Sequence, residues 1–171
     1  MNSGRSNTIA LSGILAAAAV VVMLLGGLVP MSTYVCPMIV CLLCQIIRLR
    51  CGCKMAWTWY AAVSLLALIA GPDMEAALVF AFLGYYPIIK PVIDRSRLRL
   101  LWKMLFFNAA IFVLYILLGA IMGVSDSAIE ADGAAMLWML LVLVLGNIVF
   151  FLLDVLLTRL SGRLKGGKNN G

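Results

Sequence analysis

Residues 82–105 read FLGYYPIIKPVIDRSRLRLLWKML. An apolar run meets two tyrosines and two prolines, passes five bases (Lys90, Arg95, Arg97, Arg99 and Lys103) and turns apolar again. Tyrosine rings favour the boundary between hydrocarbon and water, because one end is apolar and the other hydrogen-bonds. Pro87 falls in the last turn of the first run, and Pro91 just beyond it discourages further helix. This is the pattern of a chain that leaves a membrane and re-enters it from the same side. The flanking runs are therefore expected to be transmembrane helices.

Composition points the same way. The chain of 171 residues is 65% hydrophobic, with a mean hydropathy of +1.12. A soluble domain is roughly 45–50% apolar, so there is too little polar surface here to cover a water-exposed globule. A helix needs about 20 apolar residues to cross roughly 30 Å of hydrocarbon. Six runs approach or exceed that length: residues 9–29, 31–47, 55–70, 74–89, 100–122 and 134–157. The second, third and fourth are near the lower limit. Backbone polar groups in lipid must be satisfied internally, which leaves helices as the way to span. The expected fold is all-α, a compact bundle of six transmembrane helices over residues 1–160. A flexible, basic cytoplasmic tail is expected over residues 161–171.

The charges test the count of six independently of hydropathy. There are 13 Lys and Arg against seven Asp and Glu, a net charge of +6. Arg5 precedes the first run, and Arg48, Arg50 and Lys54 separate the second from the third. The five bases of 82–105 separate the fourth from the fifth, and Arg159, Arg163, Lys165 and Lys168 follow the sixth. With six spans, all of them fall on one side. Asp73, Glu75, Asp126, Glu130 and Asp132 fall on the other. Lys and Arg in short loops mark the cytoplasmic side, so both termini are expected inside and the protein in the cell membrane. Cleavage of the first run as a signal peptide, near Gly26-Gly27, is disfavoured by an apolar stretch longer than the usual 7–15 residues.

Basic charge beside apolar spans reads as membrane orientation, so the bilayer rather than nucleic acid is the expected partner. Catalytic chemistry has little to work with. There is no histidine, which removes the commonest general base and metal ligand. The motifs G-x-x-x-x-G-K-[ST], H-E-x-x-H and G-x-S-x-G do not occur. No enzymatic activity, cofactor or ATP hydrolysis is expected of this chain. Cys36, Cys41, Cys44, Cys51 and Cys53 crowd one segment. Zinc binding, redox chemistry and acylation are the alternatives to buried packing as small apolar side chains; packing is favoured, because Cys51-Gly-Cys53 is not a usual ligand pair.

Two groups of residues are candidates for binding. Ser12 with Ala16, and Gly13 with Ala17, are small-xxx-small pairs that let helices approach closely. They serve either this bundle or a second protein. The segment quoted above is read as an interfacial anchor, or as a docking face in which Tyr85, Tyr86 and Lys90 meet a cytoplasmic partner. Polar side chains inside the apolar runs are few: Asn108, Asn147 and Asp154 besides hydroxyls. Asp154 is expected to pair with Lys103 or a loop arginine. Asn147 is expected to contact a ligand or to close a bond between helices. Tyr34, Trp138 and Asn147 are the candidate contacts for a small-molecule solute arriving from the acidic side.

Six helices, about 170 residues, both ends inside, and an Ala-rich first helix with small-xxx-small pairs resemble the substrate-binding S components of energy-coupling-factor (ECF) transporters. The family's A-x-x-x-A is matched only loosely, by Ser12/Ala16 and Gly13/Ala17. The resemblance implies a solute-binding subunit that lacks its own ATPase. Such a subunit docks through its first helices on a transmembrane coupling protein driven by two ATPases. The alternative is a membrane scaffold, assembly factor or regulator that transports nothing. A pocket in the outer half, lined by polar and aromatic side chains, separates the two.

Overall fold

The bases that close the second apolar run do not end its helix. In the computed structural model, α2 spans Ser32–Cys51 and carries Arg48 and Arg50 in its last turn. Cations there complement the negative end of the helix dipole. The backbone is described for residues 3–26, 32–71, 73–122 and 133–166. Side chains are described for residues 6–26, 33–71, 73–114, 116–117, 141 and 143–164. Every element in these segments is helical: α1 Ser3–Gly26, α2, α3 Cys53–Ala70, α4 Met74–Leu83, α5 Tyr86–Asp94, α6 Arg99–Met122 and α7 Gly133–Gly166. Five stretches among the described residues are long and apolar enough to cross a membrane: Ser6–Gly26, Thr33–Cys51, Cys53–Ala70, Met74–Asp94 and Leu143–Leu164.

One residue, Gly52, turns α2 into α3, at φ 91°. That region is accessible to glycine and costly for a residue with a Cβ. Its N–H donates to Arg48 O at 3.1 Å, and its own carbonyl accepts from Ala56 N at 3.1 Å, so the corner leaves neither group unpaired.

The core is built around α2, which packs on α1, α3, α4, α5 and α7. Cys36, Val40, Cys41, Cys44 and Ile47 are all buried on it. The cysteine-rich segment is thus largely core, with Cys51 half-buried and Cys53 exposed. Tyr34 Oη donates to Glu75 at 2.7 Å and Thr33 Oγ1 to Asp73 at 2.8 Å, so the N-termini of α2 and α4 lie at one end. Asp73 also caps α4, accepting from Ala76 N at 3.1 Å. At the opposite end Gln45 of α2 donates to Ser161 of α7 at 2.6 Å. α7 continues to Gly166, six residues into the segment expected as a mobile tail. The Gln45–Ser161 bond ties that extension to the bundle.

The fourth apolar run is a helix broken in two. Proline lacks an N–H, so each proline leaves the carbonyl four residues earlier without its helical donor. Pro87 orphans Leu83 O, and Pro91 orphans Pro87 O. Side chains of α2 fill both places. Cys41 Sγ donates to Leu83 O at 3.9 Å, a weak bond, and Arg48 Nη1 donates to Pro87 O at 3.2 Å. Tyr60 Oη of α3 donates to Ala81 O in the same break. Gly84 is sterically required, because a Cβ there would lie 2.5 Å from both the Phe80 ring and the Phe80 carbonyl.

Candidate functional site: a buried charge cluster and the α6–α7 groove

Helical spacing places Tyr86, Lys90 and Asp94 of α5 on one face, four residues apart. That face meets Lys103 of α6 and Asp154 of α7. Tyr86 Oη donates to Asp154 Oδ1 at 2.6 Å, Lys103 Nζ to Asp154 Oδ2 at 2.8 Å, and Lys90 Nζ contacts Asp154 Oδ1 directly. Lys90 Nζ also donates to the Asp154 carbonyl at 3.3 Å. Asp94 completes the set, 2.6 Å from Lys103 and 3.5 Å from Lys90. Two cations and two anions balance, with Asp154 7% exposed and Lys90 5%. Burying an unpaired charge is costly, and this arrangement leaves none of the four unpaired.

An aromatic wall closes over the cluster. The Tyr86 ring lies 5.4 Å from Phe106 and 4.7 Å from Phe150, and Phe107 stacks on Phe150 at 4.8 Å. Lys90 Nζ is 6.0 Å from the Tyr86 ring centroid, within reach of a cation–π attraction. Tyr85 meets the same Phe106 edge-on at 5.4 Å, and it stacks on Trp57 at 6.1 Å and meets Tyr60 edge-on at 5.8 Å.

This geometry corrects the reading of Tyr86 and Lys90 as a docking face. Tyr86 is 0% exposed. Both side chains turn inward because Asp154 offers each a partner that lipid does not. Tyr85 is half-buried within the aromatic cluster. Of the first-helix candidates, Ser12 is buried and Ala16 packs against the core. The Ser12 carbonyl accepts from Trp59 Nε1 of α3 at 3.1 Å, so this side of α1 serves the bundle itself. Gly13 and Ala17 face outward, and nothing lies within 4 Å of a Cβ built on Gly13.

Asn147 closes a bond between helices. Its Nδ2 donates to Asn108 Oδ1 at 3.2 Å, and Asn108 Nδ2 returns a bond to Asn147 Oδ1 at 3.4 Å. Each amide also donates to the carbonyl four residues earlier, Met104 O at 2.8 Å and Leu143 O at 2.9 Å. Every N–H of the pair is therefore used. Two spaces adjoin here. A cavity of about 30 Å³ lies between Asn147 and the pair Lys103 and Asp154, enough for a water or two. An open groove of about 520 Å³ follows, sharing Met104, Asn147 and Phe151 with the cavity and continuing along Val144, Ile148 and Leu152. It lies between α6 and α7 on the flank of the bundle, where its wall residues Met104, Val144, Ile148, Phe151 and Leu152 are exposed, so it opens sideways.

Tyr34 lines neither space; it sits at the other end, bonded to Glu75. The side chain of Trp138 lies outside the described residues, as do Asp126, Glu130 and Asp132. The structure thus brings Asn147 to a groove but does not join Tyr34 to it. Lys90 and Asp94 as members of the charge cluster escaped the sequence reading. Their signal was present: the basic side holds two acids outside the acidic loops, Asp94 and Asp154, and buried lysines need them. Comparison with known proteins finds no matching family model, no matching curated protein and no matching solved structure.

Proposed function

We propose that the chain crosses the cell membrane six times with both termini cytoplasmic. Counting α4 and α5 as one broken span, the seven helices among the described residues make six rods, and α6, 24 residues long, is the sixth beside the five apolar stretches. In this reading the protein is the solute-binding subunit of a transporter, resembling the S components of ECF systems and docking on a partner module that supplies the ATPases. One observation carries it: a groove between α6 and α7 leads from the Asn108–Asn147 pair to a neutral cluster of buried charges at the basic end, rather than lying in the outer half where the separating pocket is expected. The cluster lies near the basic ends of these helices, four residues from Arg99 and five from Arg159, and buried charges within apolar helices are expensive to retain, which supports a functional role. The outward-facing Gly13 and Ala17 leave one side of α1 open to a close helix contact.

The test is affinity purification of the tagged chain in mild detergent, with wild type and Gly13→Leu in parallel. Recovery of a coupling protein and ATPases with wild type, and their loss with Gly13→Leu, is expected. Gly13 has open space around it, so the variant should remain as stable as wild type. The sideways opening of the groove favours a second reading, a lipid-facing scaffold or regulator. Recovery of no energising module would leave that reading ahead.

A further inference from the structure

We propose that the α6–α7 groove holds one anionic bilayer lipid, its acyl chain along Val144, Ile148 and Leu152 and its phosphate at the arginines where α6 begins and α7 leaves the membrane. This names the ligand class of the groove and rests on the reading of both helices as membrane-spanning.

Three observations converge. The groove is lined mainly by apolar side chains, and its two amides are satisfied by each other and by backbone carbonyls, so its middle asks nothing polar of an occupant. It opens sideways, where the neighbouring molecules of a membrane protein are acyl chains. Its basic end carries spare positive charge. Asp94 and Asp154 are both engaged by Lys90 and Lys103. Arg99, Arg159 and Arg163 are exposed and form no ion pair with an acid among the described residues.

The dimensions agree. Ile148, Leu152 and Arg159 follow i, i+4, i+11 spacing and share one face of α7. Arg99 lies one turn before Lys103 on α6. At 1.5 Å per residue, Arg99 is about 14 Å along the axis from Asn108, and Arg159 about 18 Å from Asn147. Half of a hydrocarbon core is roughly 15 Å. With the Asn pair near the midplane, the arginines reach the phosphate level. The positive end of the α6 dipole lies at the same place.

The full chain, stripped of lipid in detergent, is titrated with phosphatidylglycerol and with phosphatidylcholine of identical acyl chains, and bound lipid is measured by native mass spectrometry. Phosphatidylglycerol should bind more tightly. The double variant Arg99→Gln/Arg159→Gln should weaken it roughly thirtyfold, at about fivefold per base at a membrane surface, and leave phosphatidylcholine unchanged. Ile148→Trp should fill the groove and expel both lipids; Val144→Phe is the smaller obstruction if that protein fails to fold. Equal affinity for the two lipids, with both lost in the groove variants, would overturn the anionic head while the groove stands. Phosphatidylglycerol binding indifferent to either obstruction in folded protein would overturn the occupancy altogether. A lipid bound as described, on a chain that recovers no energising module, would remove the transport reading and leave this one intact.

Discussion

Replacing Asp154 by Leu tests the charge cluster most directly. The substitution removes the acceptor for Tyr86, Lys90 and Lys103 together. Lys90 and Lys103 would then share Asp94, which lies 3.5 Å and 2.6 Å away. Asp94 is the more exposed of the two acids and cannot neutralise both. Breaking a buried ion pair on one side costs about 3–5 kcal/mol, because a buried charge is left uncompensated. For chains of 150–250 residues each kcal/mol shifts Tm by roughly 2–4 °C, so Asp154→Leu should lower it by about 6–20 °C. Lys90→Met alone should cost less, since Asp154 keeps Lys103 and Tyr86. The informative variant is the double, Lys90→Met with Asp154→Leu. It leaves Lys103 paired with Asp94 and puts apolar groups where two charges were, an exchange that is often neutral. The double should therefore be more stable than Asp154→Leu, with a coupling energy of about 2 kcal/mol or more. Tryptophan fluorescence during thermal unfolding in micelles reads this out, since the chain has four Trp. Strictly additive losses, or a silent Asp154→Leu, would refute the idea that the cluster is an energetically coupled unit.

Arg48→Leu leaves the Pro87 carbonyl without its donor and should cost about 1–3 kcal/mol, measured the same way; a loss that vanishes in the background Pro91→Ala would identify the orphaned carbonyl as the cause. Gly52→Ala forces a Cβ into φ 91° and should cost about 1–3 kcal/mol, visible as a Tm several degrees lower. Asn147→Leu removes the reciprocal amide bonds to Asn108 and should destabilise by about 0.6–2 kcal/mol, whereas a larger collapse would mean that Asn108 finds no other partner. A reporter active only in the cytoplasm should work when fused at Gly171, and activity of an exported reporter there would reverse the proposed orientation.

The helical character and the apolar spans were legible in consecutive residues. Hydropathy is a sum over neighbours along the chain, and a helix satisfies its own backbone, so no distant contact is needed to read it. The small-xxx-small pairs were legible as a possibility, but not which pair faced in. Only packing against α3, through the bond from Trp59 to the Ser12 carbonyl, turned Ser12 and Ala16 inward and left Gly13 and Ala17 outside. Asp154 with Lys103 was within reach of reasoning, because a buried carboxylate near the basic end needs a cation. Lys90 with Asp94 was legible as an i, i+4 pair, but that Tyr86 and Lys90 join Asp154 was not, since those bonds span 68 and 64 residues. The broken fourth span makes the same division. Two prolines announce a kink and name the carbonyls they orphan, but which side chains fill those places depends on where α2 lies. The chain placed Cys41 and Arg48 seven residues apart on one helix, and only the docking of that helix against α4 and α5 made them the missing donors.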